Sequence, residues 1–158
     1  MGLLGNNKLR IVFDSITVRG LLDILSLMDL SPELQDKSGD PMITFKVEGQ
    51  PCFVGLCEWD RGGATILQFG ATLGIKLPIE FVNNFNSTKR FARAYLHSDG
   101  DVILDMDVNL EGGVSRAYLE QMIKAWCKIF VLFCMSIYRA EEDRRGESLI
   151  SQLDNPLE

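Results

Sequence analysis

Residues 90–110, RFARAYLHSDGDVILDMDVNL, alternate apolar and polar side chains on both sides of an Asp-Gly step, and no other stretch of the chain restricts the fold as much. Period-two alternation describes strands with one buried face, and Asp-Gly between two such runs describes a hairpin, so the fold must contain antiparallel sheet laid on a core. Parity then sets the loop length. A two-residue Asp99-Gly100 turn would place Tyr95 beside Leu104 and Ala94 beside Asp105, mixing the faces. A three-residue Ser98-Asp99-Gly100 loop, with the glycine left-handed, pairs Leu96 with Val102, Ala94 with Leu104 and Ala92 with Met106, all on one face. On the other face Arg93 then stands opposite Asp105 with Asp107 diagonal to it, a charge pair worth about 0.2–1 kcal/mol if exposed.

The rest of the chain supplies the partners of that hairpin. Val18, Leu21, Leu22, Leu25 and Met28 recur at helical spacing after Thr17, an N-cap residue. MITFKV, CFVGLCEW and ATILQFGATL are rich in β-branched and aromatic residues, and their short Gly-containing connections predict an antiparallel meander. Pro78 suits the first turn of a second helix, in which Phe81, Val82 and Phe85 share a face. Gly112-Gly113 leads into a last helix capped by Ser115 and expected over residues 116–138. The predicted architecture is a single α+β domain over residues 1–138, of order α-β-β-β-α-β-β-α, with helices packed on an antiparallel sheet. Residues 139–158 read as a charged, flexible tail.

Asp99, Asp101, Asp105 and Asp107 fall close together beside Gly100, which raises a divalent cation as a ligand. A calcium loop with Gly100 in the sixth position would start at Tyr95, put His97 third and end on Met106. None of these supplies the required carboxylate. A cation or small-ligand sensor at the Asp99–Asp107 hairpin stays as the alternative, with no metal site and no cofactor assigned. A catalytic use is not indicated either, because no nucleophile or phosphate loop accompanies the carboxylates. The chain is read as a non-enzyme.

A formal net charge of −6 repels phosphate backbones and anionic headgroups, so neither nucleic acid nor membrane is expected as a partner. The four cysteines form no CxxC and no finger with His97, the single histidine, and read as reduced thiols. MGLLGNNKLR carries no signal-peptide stretch, and the expected location is cytoplasmic. Asn86-Ser87-Thr88 is a glycosylation sequon by pattern alone.

In the last helix Leu119, Met122, Ile123, Trp126, Phe130, Phe133 and Ile137 form the stripe expected to face the core. Lys124 and Lys128 begin a solvated side, but Val131, Leu132 and Met135 replace it, with Tyr138 alongside. IFVLFCM is therefore apolar all round and needs a cover; those four residues are the expected homodimer or partner interface.

LPIEFVNNFNSTKRFARAYLHSDGDVILDMDVNLEGGVS, residues 77–115, closely resembles the signature of the YbjN family of bacterial sensory transduction regulators. Its specific pieces are the asparagine-rich helix end, Lys89 to Arg93 including Arg90 and Phe91, Asp99-Gly100-Asp101, and Asp105 to Gly113 with Asp107 and Gly112. The resemblance is looser over residues 14–137, and Phe85 stands where relatives commonly have tryptophan. It implies a fold like that of type III secretion chaperones, a homodimer, and a non-enzymatic role holding a segment of an unidentified protein partner. The family is associated with stress responses, motility and surface polysaccharide. It implies no catalytic residue.

Overall fold

The computed structural model describes residues 12–35 and 39–153 and forms an α+β domain in the expected order. The strands are β1 (Val12–Phe13), β2 (Glu33–Gln35), β3 (Met42–Val47), β4 (Gln50–Asp60), β5 (Gly63–Lys76), β6 (Arg93–Leu96), β7 (Asp101–Asn109) and β8 (Val114–Ser115). The helices are α1 (Val18–Leu27), α2 (Ile79–Thr88) and α3 (Arg116–Leu153). Six strands make one antiparallel sheet in the order β2-β3-β4-β5-β7-β6, and β1 pairs with β8 beside it.

Inward-facing residues of the sheet, Ile43, Phe45, Val54, Leu56, Leu67, Phe69, Leu104 and Met106, are buried together with Leu21 and Leu25 of α1, Val82 and Phe85 of α2, and Leu119, Ile123, Trp126, Phe130 and Phe133 of α3. Aromatic contacts tie the layers: Phe69 lies 6.1 Å from Trp126, and Phe85 meets Phe133 edge-on at 4.6 Å. The three helices thus share one face of the sheet, as the α3 stripe predicts. The buried Trp126 indole N–H has no hydrogen-bond partner. It approaches Cys52, whose thiol burial pushes up to about 12, with the indole offsetting a little of the rise. All four cysteines are free, and burial raises each thiol above its ordinary range.

The helix starts follow local chemistry. Thr17 Oγ1 accepts the Gly20 N–H at 3.0 Å, and Ser115 Oγ accepts that of Tyr118 at 3.1 Å. Pro78 precedes α2 as its cap residue rather than sitting inside the first turn. The first hairpin turns on Glu48-Gly49, with Val47 paired to Gln50 at the start of β4.

The largest departure from expectation is the length of α3, which runs to Leu153 instead of ending near residue 138. Residues 139–147, RAEEDRRGE, are strong helix formers apart from Asp143 and Gly146, and no proline intervenes before Pro156. A charge-rich run of that composition extends a helix as readily as it frays. By length and composition, the 116–147 part of α3 is apolar enough to cross a bilayer; here Leu119, Ile123, Trp126, Phe130, Phe133 and Ile137 are buried in this domain's own core.

Candidate functional site

The β6–β7 hairpin has the register that parity requires. Arg93 pairs with Asp105, Ala94 with Leu104 and Leu96 with Val102. Gly100 closes the loop with φ at +88° and donates its N–H to the His97 carbonyl at 2.9 Å. Asp99 Oδ1 accepts the Asp101 N–H at 2.9 Å, and this bond, with His97 beside it, holds the Asp99 carboxyl below its usual range. Asp101 lies opposite Lys76 of β5. Gly112 and Gly113 are both left-handed, at +83° and +89°, and lead into β8 and α3 as the sequence suggests. A Cβ on Gly113 would come within 2.6 Å of Val12 in β1.

Asp105 differs from the exposed pair the sequence suggests. It is only 3% exposed although it points to the face of the sheet away from the helices. Its neighbours on that face explain this. The register row Phe53–Gly70–Asp105–Arg93 crosses β4, β5, β7 and β6. Gly70 leaves a gap in the row, and the Phe53 ring lies over it. Arg93 closes the other side, donating from Nε to Asp105 Oδ1 at 2.7 Å and from Nη2 to Oδ2 at 3.3 Å, and it reaches Asp107 at 3.8 Å. Burial raises the Tyr95 hydroxyl above its usual range, and the Asp105 charge adds to the rise. Asp105 raises the Arg93 guanidinium in the same way.

Asp105 and Asp107 thus share Arg93, while Asp99 is engaged in the turn with the Asp101 N–H. Among the described residues no group of three or more histidine, cysteine or acidic side chains is placed to hold a metal ion.

At the β6 edge the Asn86 side chain does the work of a further strand. Its Nδ2 donates to the Ala94 carbonyl at 2.9 Å and its Oδ1 accepts the Ala94 N–H at 2.8 Å. The asparagine-rich end of α2 is thereby a device for closing a sheet edge. The sequence names that stretch without giving it this role; an amide in the last turn of a helix that leads into a strand is the signal that could have found it. Gly70 is the second missed position, and a lone glycine inside a strand pattern is its signal.

Arg90 and Phe91 stand in the turn between α2 and β6, and both are exposed. Phe91 is 69% exposed with φ at +73°. On α3, Val131 is half-buried while Leu132, Met135 and Tyr138 are 38%, 46% and 62% exposed. Leu132, Met135 and Tyr138 are thus exposed, while Val131 packs partly against the core. Two clefts flank the helix. One of about 470 Å³ lies against α1, lined by Leu27, Met28, Leu30, Glu120, Lys124 and Cys127. A smaller one of about 130 Å³ lies against α2, lined by Phe81, Asn84, Phe85, Thr88, Lys89 and Ser136. The arrangement offers exposed apolar surface on α3 with a cleft on either side.

Comparison with curated proteins and with solved structures gives no match. The family model described as "putative bacterial sensory transduction regulator" matches residues 18–133, a span that takes in the hairpin, the closed edge and most of the apolar part of α3, and the chain belongs to the YbjN family.

Proposed function

We propose that the chain is a non-enzymatic protein-interaction module of bacterial regulation, a cytoplasmic homodimer that holds a segment of a partner protein as type III secretion chaperones do. Membership of a family of transduction regulators supports a regulatory role. The observation that carries the reading is α3 itself: a helix whose one side is core presents Leu132, Met135 and Tyr138 to solvent on another. Two copies that pair this face bury it, and the flanking clefts stay available to a partner helix or extended segment.

Light scattering and sedimentation at micromolar concentration test the pairing. The parent chain runs as a dimer, and Val131→Glu with Met135→Glu runs as a folded monomer. A parent chain that is already monomeric, or a dimer indifferent to both glutamates, refutes the interface.

A further inference from the structure

The turn between α2 and β6 carries a residue whose backbone and side chain are both placed unfavourably. Phe91 has φ +73°, and the Ala92 N–H reaches the Arg90 carbonyl at 3.0 Å across it, which describes a classic γ-turn, a rare and strained conformation. Five other non-glycine residues have positive φ, namely Asp29, Ser31, Glu48, Glu58 and Arg61. All five are polar, so Phe91 is the one apolar residue among the described residues to accept this geometry. Burial does not compensate it, since Phe91 is 69% exposed while Ala92 and Ala94, just after it, are buried. A glycine would fit the turn with less strain and expose no aromatic surface.

The charges around it point the same way. Lys89 and Arg90 are exposed and enter no ion pair among the described residues, whereas Arg93 is taken up by Asp105 and Asp107. On a chain of net charge −6 they form a local positive site. The 130 Å³ cleft between α2 and α3 has Lys89 in its wall and is comparable with a cavity that holds one benzene, so it has room for a single apolar side chain.

We infer that Phe91, Lys89 and Arg90 are a contact site for an acidic segment of a partner protein, in which an apolar residue packs on the ring or in the cleft and flanking carboxylates meet the two cations. A nucleic acid fits less well: two cations neutralise few phosphates, and the remaining field opposes a polyanion. An acidic peptide brings its charges singly, spaced by apolar residues. The inference rests on reading the chain as an interaction module, but not on pairing through α3.

The test is fluorescence anisotropy of the full chain with a dye-labelled peptide of alternating glutamate and leucine. The same peptide with lysine for glutamate and a single-stranded oligonucleotide of equal charge serve as comparisons. The glutamate peptide binds and weakens as salt is added. Phe91→Gly, and separately Lys89→Glu with Arg90→Glu, lower its affinity about tenfold or more. Phe91→Gly also melts no lower than the parent and self-associates as the parent does, which separates a contact role from a structural one and this site from the α3 face. Equal binding by the variants, no binding of the glutamate peptide at millimolar concentration, tighter binding of the oligonucleotide, or a lower melting temperature of Phe91→Gly each overturns the inference.

Discussion

Gly70→Ala is the most informative single perturbation of the fold. A Cβ at position 70 would lie 2.3 Å from Cζ and 2.6 Å from Cε2 of Phe53, far inside van der Waals contact, so the ring has to leave its place over the strand. Displacement is sterically open, because Phe53 is half-buried on the face away from the described helices. It sacrifices the ring's burial over the glycine and uncovers the Asp105 carboxylate next to it in the row. Overpacking of this kind costs about 1–3 kcal/mol. Against it stands the gain of alanine over glycine inside a strand, about 0.5–1 kcal/mol. The net expectation is a loss of about 1–2 kcal/mol. Without the ring the collision disappears, so in a Phe53→Ala chain the same substitution should stabilise by about 0.5 kcal/mol. Urea unfolding of the four chains, read as a double-mutant cycle, measures both values. The expected signature is a change of sign between backgrounds. A neutral Gly70→Ala in the parent, or an equal loss with and without Phe53, refutes the account of the outer face.

Two further expectations concern buried titratable groups. Arg93→Ala leaves the buried Asp105 carboxylate unpaired; because the arginine side chain is 64% exposed, screening lowers the penalty from that of a fully buried pair to about 1.5–3 kcal/mol, and Asp105→Asn in addition should recover part of it in urea unfolding. The second concerns alkaline pH. Cys52 is held at about 12 in the fold against an ordinary 9.0, so its contribution is complete below pH 9 and is lost as pH rises towards 12, because the unfolded chain releases the proton first. Stability should fall by up to about 1.4 kcal/mol per pH unit above pH 9 from this group, and Cys52→Val should flatten the slope.

The hairpin register was legible in the sequence because two independent constraints agree: apolar residues at every second position of both strands and a glycine where the loop needs a left-handed residue. The core side of α3 was legible for a similar reason, since one helical stripe from Leu119 to Ile137 is sufficient to orient it. The environment of Asp105 was not. Its burial depends on Gly70 and Phe53, which are distant in sequence and meet it only through sheet order, and a strand pattern records neither. Local composition also misplaced the end of α3, because Arg, Ala and Glu serve equally in a solvated helix and in a loose tail. At Phe91 the residue types were visible and grouped with the family signature, but a positive φ in an aromatic residue is a property of the folded turn alone.

The Asn86 bonds to Ala94 have a consequence for how large an assembly this protein can build. One border of the six-stranded sheet is closed from within by a side chain, while β2 forms the other border. A sheet able to lengthen from both borders can propagate without limit. With the β6 border interrupted at Ala94, two copies joined through β2 would present only interrupted borders, and strand addition would not carry further.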